Sequence, residues 1–455
     1  MNRSARPKVG IVGGGPGGLM TAYFLQQRAN RSLDVTILER SERLGGKILT
    51  PGFASVRARY EAGAAEFYDY SVVDEDPLKE LIAELGLPIS PMGGHSVYLH
   101  GQYVANLDDL ERVQGADARR SLVKFYESAR DEISPVEYFL HGGDESTAVG
   151  RPGEHFDRQL AEQLTEAARR YVETMIHSDL ATESRITSRS YGLQNYLMND
   201  PAYMQLYGIE GGNEQLPAAL AARLDAKVQL GRCVCSVERG ENGRLFVESR
   251  DDAQTLHRDE FDYVVVALPL DAFRHVEFRG ERLATALQTH FEHYHHPAHY
   301  LRVTIAFERP FWLGTLVESY CQLEAFGGCC LYDESSRWPD SRYGILGWLL
   351  GGDAAVKYAQ LDDQTLVRMA LATLPESLSA GRDLFVEGRV HRWLEAVNAM
   401  PGGWTARPLD LRHQPEPQEH PRLFVVGDYL FDSTLNGVLD SADYVSEWIA
   451  SQINA

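Results

Sequence analysis

The chain is short of cysteine, of positive charge and of long apolar runs, and each shortage removes a class of protein. Five cysteines in 455 residues are too few, and odd in number, for a disulfide scaffold. Cys233, Cys235, Cys321, Cys329 and Cys330 match no metal-ligand spacing, so they read as reduced and structural. Lys and Arg number 44 against 65 Asp and Glu, a net charge of −21. Such a surface repels a phosphate backbone, lacks the basic stripe of a nucleic-acid binder and attracts cations at long range. No uncharged apolar run is long enough to cross a bilayer. A first strand at Lys8 leaves no room for a cleavable leader, so a cytoplasmic protein is expected. Repeats and long low-complexity stretches are also missing. Residues 290–299 hold five histidines, yet no cysteine or acid set accompanies them. With Pro297 among them they read as a solvated loop rather than a metal site.

What is present is a globular composition, 44% hydrophobic, over a length that suits two domains each with its own core. A short apolar strand from Lys8 runs into Gly13-x-Gly15-x-x-Gly18 and then into the helical pattern Leu19 to Leu25. Gly13 permits a tight turn, Gly15 lets the backbone approach a pyrophosphate, and Gly18 lets the helix lie close to the sheet with its N-terminus facing the anion. A second strand, Leu33 to Leu38, ends in Glu39, 21 residues after Gly18. An acid at that place accepts hydrogen bonds from a ribose and disfavours a 2′-phosphate. In Glu39-Arg40-Ser41-Glu42-Arg43-Leu44-Gly45-Gly46-Lys47 two glycines expose backbone N–H groups between flanking cations, which suits a diphosphate.

This last segment resembles the Glu-x-x-x-Arg-x-Gly-Gly-Arg signature of the flavin amine oxidase superfamily, and further family elements follow in order over nearly the whole chain. The resemblance implies noncovalent FAD, with Arg40, Arg43, Gly45, Gly46 and Lys47 among its ligands and Lys47 where the family usually has Arg. Gly63 and Ala64 end a strand near the flavin, Val234 meets the adenine through its backbone, and Gly427 and Asp428 reach the pyrophosphate or ribityl chain. Asn436, Gly437 and Val438 open a closing helix whose N-terminus lies against the flavin. The implied fold class is α/β, a GR2-type Rossmann FAD-binding domain with a second α+β substrate domain of mixed sheet plus helical insertion. The FAD-binding domain is expected over 1–75, 208–285 and 400–455, and the substrate domain over 76–207 and 286–399. Helical spacing covers 117–140 and 157–181. Buried strands are expected at 261–268 and 422–426, and strands of the substrate sheet at 300–307, 344–350 and 384–393.

Flavin oxidation needs a substrate C–H held near the ring, apolar walls and few protein acids or bases. By resemblance, Arg302 stands where amine oxidases have a lysine near the flavin, and a permanently charged Arg can clamp a carboxylate. Trp393 and Trp404 should shape the pocket, Trp404 at the place where some members attach FAD through cysteine. The two aromatic-cage positions fall at Thr405 and Thr434. Glu66 falls close to where α-amino acid oxidases hold a carboxylate-binding arginine, and an acid there favours an ammonium unless Arg302 pairs with it. The reading is an FAD-dependent oxidoreductase that takes hydride from a small organic amine or amino acid, with O2 as acceptor. Alternatives are a C–C dehydrogenase resembling phytoene desaturases or protoporphyrinogen oxidases, a redox-neutral flavin mutase, and a flavin-binding protein without turnover. The expected partner is a small-molecule substrate, with no nucleic acid, and a homodimer stays open.

Overall fold

The computed structural model describes residues 6–72, 74–141, 154–316, 318–338, 341–431 and 433–455. Its central sheet has five parallel strands in the order Leu423–Val425, Tyr263–Val266, Lys8–Val12, Asp34–Leu38 and Ala226–Gln229. These strands are almost continuously apolar because both faces are covered. Alternation within them decides which cover each side chain meets. Val9, Ile11, Val35, Ile37 and Val265 face a core shared with the helices Pro16–Arg28 and Leu435–Asn454, which pack on each other. Val12, Leu38, Val264 and Val266 face the opposite core with Val237, Val247, Leu283 and Leu287. That second cover is a four-stranded sheet, Leu256–Phe261, Leu245–Arg250, Cys233–Arg239 and Glu277–Arg279, together with the helix Glu281–Tyr294.

A seven-stranded mixed sheet stands beside this unit in the order Phe385–Asn398, Pro297–Phe307, Gly344–Gly351, Cys329–Asp333, Tyr320–Leu323, Val97–Leu99 and Gln102–Val104. Pro297–Phe307 is antiparallel to both neighbours, and the register sets Arg302 between Leu349 and His391 and Tyr300 beside Trp393. Phe67–Asp69, Gln205–Ile209 and Ile89–Met92 form a small antiparallel sheet. The helices Ala116–Glu132, Phe156–Gln163, Glu166–Leu180 and Arg189–Leu197 share one core around Phe125, Phe156, Leu160, Val172 and Leu193.

The structure corrects three local expectations. The helical stretch 157–181 is two helices, because Thr165 caps the second by accepting from the Ala168 N–H at 3.3 Å. The stretch 117–140 breaks likewise at Ile133, before Pro135 opens the helix Pro135–His141. The histidine-rich run is not a solvated loop: His290 and His293 belong to the helix Glu281–Tyr294, and His290 is fully buried. Leu283, Leu287, His290 and Tyr294 recur at helical spacing and form its buried stripe. Among the described residues no cluster of His, Cys, Asp or Glu could hold a metal ion, and no helix is long and apolar enough to cross a membrane.

Candidate functional site

The turn after the first strand shows which glycines pack and which leave room. A Cβ on Gly18 would lie 2.1 Å from the Gly13 carbonyl oxygen, so this glycine is demanded by the close approach of helix to strand. A Cβ on Gly15 would meet nothing nearer than the Gly46 Cα at 3.8 Å. Packing therefore does not explain Gly15, and the space it leaves faces the second glycine turn, as a pyrophosphate cradle requires. Gly13, Gly45 and Gly46 adopt positive φ, and the Gly45 N–H donates to the Gly14 carbonyl at 2.8 Å, which ties the two turns together.

Charged side chains fix this cradle. Glu39 Oε2 accepts from the Gly14 N–H at 2.7 Å and Oε1 from the Ser41 N–H at 2.8 Å, so its carboxylate is held at the end of the second strand. Arg43 staples the Gly-Gly turn, donating to the carbonyls of Leu44 (3.0 Å), Ile48 (3.1 Å) and Gly46. Arg40 is exposed beyond the strand end. Lys47 Nζ donates to the Ala396 carbonyl at 2.6 Å and to Asp428 Oδ2 at 2.7 Å, joining three segments distant in sequence. Gly63 and Ala64 run against Lys47, with the Ala64 N–H donating to its carbonyl at 3.1 Å. The Gly427 N–H donates to Ser441 Oγ at 3.2 Å, and Thr434 caps the closing helix by accepting from the Gly437 N–H at 3.1 Å. Asn436 Nδ2 reaches the Asp76 carboxylate at 3.2 Å. Val234 is half-buried on Cys233–Arg239, packed on the core beneath the central sheet.

Gly63, Ala64, Lys47, Asp428, Thr434 and Val438 line one cleft of about 1000 Å³ together with Glu66, Tyr68, Tyr300, Arg302, Leu349, Trp393 and Val397. Open space at Gly15, backbone N–H groups at the Gly-Gly turn and a helix N-terminus opening on the cleft fit a dinucleotide, and Gly63, Ala64 and Val438 would hold its ring system. The donor set thus fits FAD. Gly13, Gly15, Gly18, Gly45, Gly46 and Glu39 would hold its phosphate and ribose end, and the paired Lys47 and Asp428 line the cleft itself.

Behind the cleft lies a buried ionic network. Arg302 pairs with Glu334, both side chains 1% exposed, and Arg337 Nη1 stands 3.3 Å from Glu61 Oε1. Glu334 Oε2 accepts the Glu61 N–H at 2.8 Å, and Glu61 also accepts the Asn213 N–H at 2.8 Å and the Thr50 hydroxyl at 3.0 Å. Burial pushes the Glu61 carboxyl up to about 7 against the pull of Arg337. Burial opposes the Arg302 cation, yet Glu334 and Glu66 outweigh it and hold Arg302 charged. Its charge is thus matched by Glu334 through Nη2, and Nε is enclosed with no hydrogen-bond partner among the described residues.

Glu66 differs from its neighbours. Its Oε1 accepts the Tyr332 hydroxyl at 3.1 Å, while Oε2 is enclosed with no partner among the described residues. Burial raises its carboxyl above the ordinary range, more than Arg302 and Arg337 lower it. Trp393 is anchored by donation from Nε1 to the Ala62 carbonyl at 2.6 Å and presents its half-buried ring to the cleft. Trp404 is not among the cleft-lining residues, contrary to expectation. Its Nε1 donates to the His293 carbonyl at 2.9 Å and its ring packs on His293 and Tyr294. The helix that was expected to be a loop supplies that seat. Thr405 is drawn to the same helix, its carbonyl accepting from His293 Nε2 at 3.0 Å, so only Thr434 of the two expected cage positions reaches the cleft.

Aromatic walls come instead from Tyr68 and Tyr300, which the sequence reading missed. Tyr300 lies two residues before Arg302 on one strand, hence on the same face, and that spacing was the available signal. A second cavity continues from the cleft past Tyr68 and Tyr300 to Asp179.

A family model described as flavin containing amine oxidoreductase matches residues 16–449. Prenylcysteine oxidase 1 of Rattus norvegicus is 24% identical over 304 residues, which is 59% of this chain and 57% of that protein. The chain thus spans little more than half the length of the curated relatives it matches. Wild-type putrescine oxidase bound to putrescine shares the fold with a TM-score of 0.73 at 18% identity, over 98% of this chain and 99% of that one. Cyclohexylamine oxidase from Brevibacterium oxydans IH-35A does so with a TM-score of 0.73 at 18% identity, over 99% and 100%.

Proposed function

The chain belongs to the flavin-containing amine oxidoreductases and is an FAD-dependent oxidoreductase, and from that premise we propose that it takes hydride from a small organic amine. The observation that carries this reading is Glu66, an enclosed cleft carboxyl with one oxygen unpaired, in a cleft whose two lining cations are already engaged, Arg302 by Glu334 and Lys47 by Asp428. An ammonium or amine N–H supplies the partner that Glu66 lacks. Both cations that line the cleft are each paired with a carboxylate, which favours amines over α-amino acids. Putrescine oxidase and cyclohexylamine oxidase, named for amines, support the same choice.

Bound in the cleft, FAD supplies the two-electron acceptor. Glu66 holds the substrate nitrogen and takes its proton as the ammonium becomes the reactive free base. Tyr68, Tyr300 and Trp393 wall the carbon that loses hydride, and Leu349 and Val397 keep water from it. Loss of hydride from carbon and a proton from nitrogen leaves an imine, which water converts to carbonyl and ammonia. The two electrons and two protons pass to O2 as hydrogen peroxide. The division into FAD-binding segments 1–75, 208–285 and 400–455 and a substrate-binding remainder belongs to this proposal. It is supported by the central sheet drawing all its strands from the first set and the seven-stranded sheet all from the second.

The test is peroxide formation by the holoenzyme with a panel of primary amines and a panel of α-amino acids. Peroxide from amines, at far higher kcat/KM than from any amino acid, is expected. Peroxide from amino acids alone would overturn the choice of amine.

A further inference from the structure

The long strand Phe385–Asn398 is interrupted where it passes the cleft. Ala298 faces Val397 across the sheet and Tyr300 faces Trp393, so His299 alone stands opposite Leu394, Glu395 and Ala396. Glu395 takes a φ of 56° there, a left-handed conformation that glycine adopts freely and a glutamate does not. A bulge of this kind leaves backbone groups outside the ladder, and it persists only where its surroundings hold it.

Two side chains from other segments meet those backbone groups. The Glu395 N–H donates to His299 Nδ1 at 3.1 Å, and the Ala396 carbonyl accepts from Lys47 Nζ at 2.6 Å. Lys47 also reaches Asp428 at 2.7 Å, and Lys47, Trp393, Ala396, Val397 and Asp428 all line the cleft whose donor set fits FAD. The bulge is thus both a wall of that cleft and an anchor for Lys47. His299 is not itself a lining residue, and its own N–H donates to the Ala181 carbonyl at 2.9 Å, which fixes it behind the wall.

We propose that His299 is a positioning residue for the cofactor: its neutral ring, accepting at Nδ1, holds the Glu395 bulge in the form that presents the Ala396 carbonyl to Lys47, and FAD binds most tightly while Nδ1 carries no proton. A protonated imidazole has an N–H at both nitrogens and accepts nothing, so it would meet the Glu395 N–H donor to donor. The bulge then relaxes, and FAD must restore its shape on binding, which costs affinity. Burial lowers the His299 imidazole below its ordinary range, against the carboxylates of Glu395 and Asp353. Asp353 comes from the helix Gly352–Tyr358 packed on this strand and is paired with Arg185, while Glu395 stands 3.3 Å from Arg274 and 3.7 Å from His295. The loss of affinity therefore falls on the acid side of neutrality. This role concerns FAD alone, whichever substrate is oxidised.

The test dilutes the holoenzyme and reads released FAD by its fluorescence, giving Kd for the wild type, His299→Ala and His299→Asn. At about pH 8, His299→Ala is expected to raise Kd about three- to tenfold, as for loss of one hydrogen bond, while His299→Asn, whose Oδ1 replaces Nδ1 as acceptor, stays within about twofold of the wild type. Between about pH 8 and about pH 5 the wild-type Kd should climb about three- to tenfold further than that of His299→Asn, whose amide does not titrate. Equal Kd values for His299→Ala and His299→Asn would overturn the role, as would parallel pH dependence in the wild type and His299→Asn. A wild-type Kd that stays flat over the same range would overturn it with no variant needed.

Discussion

At the scale of single residues, the site turns on which buried charges have partners. Arg302 and Glu334 satisfy each other, and Glu61 is held by Arg337, Asn213 and Thr50, so these groups form a framework. Glu66 keeps an oxygen with no partner among the described residues and is the group proposed to meet the substrate. Replacing Glu66 with Gln removes a charged acceptor, and a hydrogen bond to a charged group is worth about 1.5–3 kcal/mol. Steady-state kinetics on Glu66→Gln should show kcat/KM for amines down by roughly 10- to 100-fold, with flavin content unchanged. That Glu66 and Trp393 line one cleft was legible in the sequence because family elements flank them closely. The partner of Arg302 was not, since Glu334 lies 32 residues away on a neighbouring element and no local pattern links them.

At the scale of elements, the first strand, its glycine turn and the following helix are local chemistry, which is why the sequence disclosed them. Strand, glycine turn and helix follow one another directly, and each glycine answers to a separate contact. Gly15→Ala and Gly18→Ala therefore separate ligand space from packing. The first should melt with the wild type when both are free of FAD, yet bind FAD far more weakly, because its methyl occupies open space beside Gly46. The second should lose stability outright, because its methyl would sit 2.1 Å from the Gly13 carbonyl oxygen. Thermal melting of apoprotein, followed by flavin titration, distinguishes the two. Thr434 caps the helix that closes the cleft, and Thr434→Ala should cost about 1 kcal/mol in urea unfolding. Elements in the 290–299 region were misread because histidine was taken as a polar residue. Buried among Phe273, Tyr294 and Tyr429, His290 behaves as an apolar ring in a helical stripe. The same helix draws Trp404 and Thr405 away from the cleft, so one wrong element displaced two site residues.

At the scale of the whole molecule, stability and pH are joined through the buried histidines. Burial holds His290 well below the ordinary imidazole range and His413 at about 3. Below about pH 6.5 the unfolded chain binds protons that these rings refuse in the folded state, so stability falls as pH falls toward 3. Glu61, raised to about 7, acts in the opposite sense between its ordinary value and pH 7, where the folded form keeps a proton the unfolded chain has lost. The limb between pH 6.5 and 4 carries the histidine contribution, and His290→Phe, which replaces an imidazole whose nitrogens have no hydrogen-bond partner among the described residues by a ring of similar size, should flatten it in melting curves. A cofactor that binds only the folded chain adds stability by mass action, and the Lys47 to Asp428 contact shows that the segments proposed to hold FAD come together only in the fold. The most direct measurement is the anaerobic flavin spectrum of wild type and Glu66→Gln on adding a primary amine. Prompt bleaching of the wild type, recovery on admitting air, and bleaching at least tenfold slower in Glu66→Gln are expected. A spectrum that no amine changes, or one that bleaches equally fast in both proteins, would contradict amine oxidation at Glu66.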